Sequence, residues 1–298
     1  MVDSRHARRS GLSLTEFLVA VTIMSMVAVA IGTASLTSTR LDAVAQGTSD
    51  TVQHARVVQD IFRRTVSRAH GSLAFPGLLV LARTTPMGTF PDTLVVWSPE
   101  GDPADPEGLP RFSEIVVFCG HPDRPEELIM VTDRTDHRTV PPKEDTAAWQ
   151  SEIDTFVRQN GDSGTVLTSR VHVFQMGFGF FMADGGGSST MTVRQSAVRF
   201  WVEQRPSSAE FDDYDAGNAA WKELRWPLDM YNSEMGIVRA RCNLEFQLDV
   251  PDSPTSQVLV FFDGASTSFA VARPVPTATS SSGTMSGSSM NSSGALMN

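Results

Sequence analysis

The N-terminal part of the chain contains a long apolar stretch with almost no charge. Residues 12–36 are rich in Leu, Val, Ala, Ile and Met, and Glu16 is the one charged residue among them. A helix needs about 20 apolar residues to cross the hydrocarbon core of a bilayer. The apolar region of a secretory signal is shorter, roughly 7–15 residues. The pattern therefore predicts a membrane-spanning helix over residues 12–36.

A helical period continues over residues 37–71, so the helix is expected to extend beyond the membrane. Charged residues occupy the opposite face, and Gly71 is the predicted C-terminal stop. Gly32 and Gly47 are candidate bending points. Steps of three and four residues predict one buried helix face, formed by Leu41, Val44, Thr48, Val52, Ala55, Val58, Phe62, Val66 and Ala69.

The pattern changes after Gly71 to short β-branched and apolar runs separated by Pro, Gly and Asp. Residues 237–250 are the clearest strand, because apolar and polar side chains alternate strictly along them. A long helix followed by many strands predicts an α+β fold, with the helix packed on an antiparallel β-rich domain over residues 72–273. The candidate strands are 78–81, 94–97, 115–119, 128–131, 171–181, 197–202, 237–250, 258–262 and 269–272.

Two further segments complete the predicted organisation. Residues 147–157 are expected to form a short surface helix. Residues 274–298 consist mainly of Ser, Thr, Gly, Pro and Met without periodicity, so they are predicted to be a disordered tail.

Composition and charge narrow the function classes. Hydrophobic residues make up 41% of the chain, enough for a core. The net charge of −10 argues against nucleic acid as a partner. Basic residues just before the apolar stretch, Arg5, Arg8 and Arg9, predict that the N-terminus stays in the cytoplasm.

Glu16 separates three explanations of the apolar stretch. A secretory signal would be cleaved at a small-residue site such as Thr33-Ala34-Ser35. A plain membrane anchor leaves the carboxylate unexplained, since a charge near the membrane centre costs a few kcal/mol. The third explanation depends on the residues around Glu16.

The sequence Arg8-Arg9-Ser10-Gly11-Leu12-Ser13-Leu14-Thr15-Glu16-Phe17 resembles the processing site of type IV prepilins and of type II secretion pseudopilins. The resemblance implies that a prepilin peptidase cuts after Gly11 and that the new N-terminal residue, Leu12, is N-methylated. Glu16 then falls at the fifth mature position, where the family has its assembly glutamate. Leu12 departs from the phenylalanine that the family most often has there.

The size of the chain is more similar to that of minor subunits, in particular the J-type pseudopilin and the W-type minor pilin. Residues 55–64 and the Trp-bearing segment 221–227 carry this looser resemblance. It implies a structural subunit that primes or caps a periplasmic filament. The prepilin leader would be residues 1–11, the anchor would lie in the inner (cytoplasmic) membrane, and the domain would face the periplasm. The implied partners are the prepilin peptidase and other pilins or pseudopilins.

Other functions remain open from the sequence. The chain could be a minor pilin that acts as an adhesion module, or a plain membrane-anchored periplasmic protein. It contains no hydrolase, zinc-protease or phosphate-loop motif, so we expect no enzymatic activity and no cofactor. A weak calcium candidate is the acidic segment 210–218, through Asp212, Asp213 and Asp215, with a solvated loop as the alternative.

Cysteine and tryptophan residues leave further alternatives. Cys119 and Cys242 could form a disulfide in an oxidising compartment or remain buried free thiols. Trp221 and Trp226 are either exposed interface anchors or loop residues packed on the core. His172 is expected to have a structural hydrogen-bond partner.

Overall fold

The computed structural model describes residues 13–85, 88–181, 188–251 and 256–273. The predicted leader, Leu12 and the predicted tail over 274–298 lie outside the described residues. Within them the chain has the predicted α+β architecture: one long N-terminal helix is followed by a domain of antiparallel sheets with a few short helices.

Helix α1 spans Leu14–Ser67 and has 54 residues, which corresponds to about 81 Å at 1.5 Å per residue. It continues through Gly32 and Gly47 as one element, so neither glycine interrupts it. It ends at Ser67, with Arg68 as the C-terminal cap, a few residues before the predicted stop at Gly71. The buried face of its second half is formed by Gly47, Thr51, Ala55, Val58, Phe62 and Val66. The predicted face is correct from Ala55 onward, whereas Leu41 is exposed and Thr48 and Val52 are only partly buried.

The first sheet, sheet A, has five antiparallel strands in chain order. Helix α2 (Thr146–Asn160), predicted as residues 147–157, begins at the cap residue Asp145, whose side chain accepts a hydrogen bond from the Ala148 N–H. Sheet A contains β1 (Leu78–Thr85), β2 (Gly88–Trp97), β3 (Ile115–Gly120), β4 (Leu128–Val131) and β5 (Thr165–Thr168).

The second half of the domain contains a hairpin and a further sheet. Strands β6 (Val173–Phe181) and β7 (Ser188–Ser196) form the hairpin, which is a two-stranded sheet, sheet B. Sheet C has three strands in the order β10-β9-β8, and its strands are β8 (Val198–Arg205), β9 (Met235–Asp249) and β10 (Val258–Ala272). Helix α3 (Ser208–Asp215) lies in the connection from β8 to β9.

Sheet A lies between two hydrophobic cores. One of its faces packs with α1 and the inner face of sheet C, and the other face packs with α2. Phe62 of α1 joins three layers, because its ring lies 6.3 Å from that of Phe118 on β3 and 6.5 Å from that of Phe200 on β8. The docked half of α1 is therefore part of the domain core.

Strand β10 differs from the prediction, which placed two short strands on either side of a polar segment. The strand is continuous, and two of its inward polar side chains have partners in α1 or in the residues just after it. The Asp263 side chain is 2% exposed and lies 2.7 Å from Arg63 Nη2. The Thr267 hydroxyl donates to the Ala69 carbonyl at 2.7 Å. These contacts let polar residues occupy the inner face of the strand.

Strand β10 is also an edge strand, and α1 covers part of its outer side. Gln59 Nε2 donates to the Phe262 carbonyl oxygen at 3.0 Å. The Gly264 N–H donates to Asp263 Oδ1 at 2.8 Å. Backbone groups on an unpaired edge are a template for another strand, so these bonds protect the middle of β10.

The connection from β8 to β9 forms a third, aromatic core. Trp221 and Trp226 are both buried, which confirms that they pack on the domain and are not exposed anchors. Trp221 Nε1 donates to the Asn232 carbonyl at 2.9 Å, and Trp226 Nε1 donates to the Trp221 carbonyl at 2.8 Å. Both indole N–H groups are thus satisfied inside the protein.

Candidate functional site

The first half of α1 presents apolar side chains on all sides. An 18-residue window of this helix has a mean hydropathy of 2.3 and none of it is buried within the chain. The helix is long and apolar enough to cross a membrane. Its exposed large apolar side chains are Leu14, Phe17, Leu18, Val19, Val21, Ile23, Met24, Met26, Val27, Val29, Ile31, Leu36 and Leu41.

Hydroxyl groups inside this apolar half are satisfied by the helix itself. Thr22, Ser25 and Thr37 each donate to the carbonyl four residues earlier at 2.8 Å. A polar group without a partner costs several kcal/mol in hydrocarbon, so helices in membranes satisfy such groups internally. The Ser and Thr residues are therefore compatible with an apolar environment.

Gly47 marks the point where α1 passes from full exposure to contact with the domain. It is the first buried residue of the helix. A Cβ atom added to Gly47 would lie 2.7 Å from the Pro251 carbonyl oxygen, so the absence of a side chain permits the close approach. One turn later the Thr51 hydroxyl donates to the Gly47 carbonyl at 2.8 Å. The helix thus enters the domain beside the end of β9.

Glu16 lies in the first turn of α1 and forms a capping box with Ser13. Glu16 Oε2 accepts hydrogen bonds from the Ser13 N–H at 2.9 Å and from the Ser13 hydroxyl at 3.0 Å. The Glu16 N–H donates to Ser13 Oγ at 3.3 Å. Such a box satisfies backbone donors at the start of a helix. This capping role was not among the sequence predictions, although Ser and Glu three residues apart are its signature.

The predicted processing residues Gly11 and Leu12 lie outside the described residues. Of the predicted processing and assembly residues, the structure therefore places Glu16. It lies at the start of the apolar half of α1 and is exposed. A carboxylate there is accessible to a second polypeptide.

The weak calcium candidates lie on a helix and not in a loop. Asp212, Asp213 and Asp215 are on α3 and are exposed. The Asp212 and Asp213 carbonyls already accept backbone hydrogen bonds from Ala216 and Asn218 at 2.9 and 2.8 Å. Within the described ranges, no group of three or more His, Cys, Asp or Glu side chains is arranged to hold a metal ion. The three aspartates thus lie on the exposed side of α3, whose Phe211 and Tyr214 pack against the aromatic core.

The disulfide considered from the sequence is not formed. Cys119 and Cys242 are both buried free thiols. Cys119 belongs to the core on the α2 side of sheet A, and Cys242 belongs to the core between α1 and sheet C. Burial raises the pKa of each thiol to about 12. The two cysteines are therefore core residues separated by a sheet.

His172 has the structural partner that we expected, because its Nδ1 lies 2.8 Å from Asp249 Oδ1. The features that point to a function are thus concentrated at the start of the chain: Glu16 and the exposed apolar half of α1. Comparison of the chain with protein-family models, with curated proteins and with solved structures finds no match.

Proposed function

We propose that the chain is a minor pilin or pseudopilin, a non-enzymatic subunit of a periplasmic filament in a type II secretion system or a type IV pilus. It is inserted in the inner membrane by residues 12–36, with its domain in the periplasm. A prepilin peptidase removes residues 1–11 and Leu12 is N-methylated. The subunit then joins other pilins or pseudopilins and primes or caps the filament.

The observation that carries the proposal is one charged side chain at the start of an otherwise apolar helix surface. Leu14 and Phe17 beside Glu16 are 77% and 59% exposed, so neither packs on the domain of its own chain. An exposed surface of this kind is covered by lipid or by other helices. A subunit that moves from membrane to filament needs a helix that suits both surroundings.

The chemistry of Glu16 fits a partner in a neighbouring subunit. Both bonds from Ser13 end on Oε2, and in the filament Oε1 accepts from the free amine of another subunit's Leu12. A buried ion pair offsets much of the desolvation of both charges, whereas either charge alone is strongly unfavourable. The pair would thus favour one register between neighbouring helices.

Mass spectrometry of the mature protein tests the processing step. The chain, expressed in cells with a prepilin peptidase, should begin at N-methylated Leu12. The variant Gly11→Val should retain residues 1–11, because a β-branched side chain replaces glycine at the cleaved bond. A wild-type chain that still begins at Met1, or that is trimmed near Ala34, would contradict the proposal.

Assembly distinguishes a filament subunit from a plain membrane anchor, in which the Ser13–Glu16 box only starts the helix. Glu16→Ala should leave membrane insertion intact and abolish recovery of the chain in sheared filaments. Ser13→Ala removes the cap, at a cost of about 1 kcal/mol, and should assemble normally. Equal effects of the two substitutions would favour the plain anchor.

A further inference from the structure

A basic patch lies on the outer face of sheet C, on a protein whose net charge is −10. Arg205 is on β8, and Arg239 and Arg241 are on β9; all three are exposed. They project to the same face because residues two apart share a face and Arg205 is directly opposite Arg239 in the register. Glu203 is directly opposite Arg241.

Among the residues that line the patch, the three arginines outnumber the single acidic residue, Glu203. None of the ion pairs formed within the described part of the chain involves Arg205, Arg239 or Arg241. Arg239 Nη2 makes a long hydrogen bond of 3.4 Å to the neutral Ser266 hydroxyl. Like charges directly opposite each other destabilise a strand pair, so the arrangement favours an added anion.

An apolar side chain stands beside the arginines. Leu228 is 90% exposed, and its backbone has φ 52° and ψ 37°. Left-handed backbone is uncommon for a residue with a side chain, and here it directs a leucine into solvent. Leu228 and Pro227 line a cavity of about 300 Å³ together with Glu203, Arg205, Arg239 and Arg241. One concave site therefore offers both positive charge and apolar surface.

We propose that this patch, formed by Arg205, Leu228, Arg239 and Arg241, binds an acidic segment of another polypeptide that also presents an apolar side chain. Guanidinium groups form bidentate, charge-assisted hydrogen bonds with carboxylates. An apolar side chain of the partner packs on Leu228. Arginine in a concave site is among the residues that most often dominate binding energy.

The position and composition of the patch favour a polypeptide over a polyanion or a lipid surface. The net negative charge of the protein repels a densely charged nucleic acid more strongly than a short acidic segment that also carries apolar side chains. Along sheet C, α1 enters beside Pro251, and Gly71, just after the helix, lies beside Phe269. Arg239 pairs with Ser268. The patch therefore lies at the end of the sheet away from the apolar half of α1. A lipid surface that holds that half is not next to it.

A binding measurement on the full chain in detergent micelles tests the inference. The probe is a fluorescent synthetic peptide of alternating Glu and Leu, followed by fluorescence anisotropy. The wild type should bind it, and R239Q/R241Q should weaken binding by about tenfold or more. L228S should weaken binding several-fold. The matched control R56Q/R68Q removes two exposed arginines of α1 and should leave affinity unchanged.

Several results would overturn the inference. They are no binding by the wild type up to about 1 mM peptide, an equal loss in R56Q/R68Q, or equal binding of a peptide with Lys in place of Glu. Tighter binding of a single-stranded oligonucleotide than of the acidic peptide would do the same. The measurement needs neither cleavage after Gly11 nor filament assembly, so its failure is distinct from failure of the proposed function.

Discussion

Cys119 and Cys242 are buried in two different cores of the protein. The strict alternation along β9 predicts that Cys242 faces inward, and it does. Strand β3 is buried on both faces along residues 115–119, so its sequence does not indicate which core Cys119 enters. The packing of sheet A between α2 and sheet C decides which core Cys119 enters. The same packing keeps the two thiols apart.

Both native thiols should be unreactive. Burial raises each pKa to about 12, and at pH 8 only about one thiol in ten thousand is then ionised. Iodoacetamide should label neither cysteine over hours in the folded protein and both in concentrated guanidinium. A cysteine introduced at the exposed position Ser67 serves as the control and should react quickly. Equal reactivity of native and introduced thiols would contradict the burial of the native pair.

At the scale of elements, the sequence predicts the helices and strands in which apolar positions recur regularly along the element itself. Strands β5 and β7 were missed. Strand β5 has only four residues, Thr165–Thr168, and β7 reads SSTMTVRQS, with few apolar positions. Strand β10 was predicted as two pieces because Asp263 meets its partner Arg63 only across 200 residues of sequence. Such long-range partners are invisible to a local pattern.

Helix α1 offers a matched pair of glycines for a test of docking. An alanine at position 47 would place its Cβ 2.7 Å from the Pro251 carbonyl oxygen, whereas one at position 32 would meet nothing within 4 Å. Alanine is favoured over glycine in a helix by roughly 1 kcal/mol. Gly47→Ala should nevertheless lower the midpoint of thermal unfolding in micelles, because backbone must move. Gly32→Ala should leave it equal or higher; the reverse order would contradict the docking at Gly47.

At the scale of the whole molecule, the fold class can be predicted from the sequence, whereas the packing of the sheets and helices in layers cannot. A long helix before many strands indicates α+β, but the division of strands into separate sheets depends on pairing between distant segments. The prediction that Glu16 acts in assembly depends on its position in the prepilin-like motif. The basic patch required the register of β8 against β9, which brings Arg205 opposite Arg239.

Truncation tests whether the domain is independent of the apolar half of α1. Among the described residues, deletion of residues 1–39 removes only exposed ones, since burial in α1 begins at Gly47. The truncated chain should be soluble without detergent and keep the unfolding midpoint of the full chain. Deletion of residues 1–62 also removes Ala55, Val58 and Phe62, which are at most 1% exposed, and should prevent folding. A 1–39 deletion that aggregates would contradict this division.

The contact between α1 and β10 also protects the protein against misassembly. Gln59 occupies a backbone acceptor that another strand would otherwise use. Before α1 docks, a 15-residue strand is open along one side, and bare edges of that length promote aggregation. In a newly made chain, α1 must therefore dock on β10 before the chain meets another copy. Mutations that weaken the docking of α1 on β10 are therefore expected to cause aggregation during folding, even where the folded protein tolerates them.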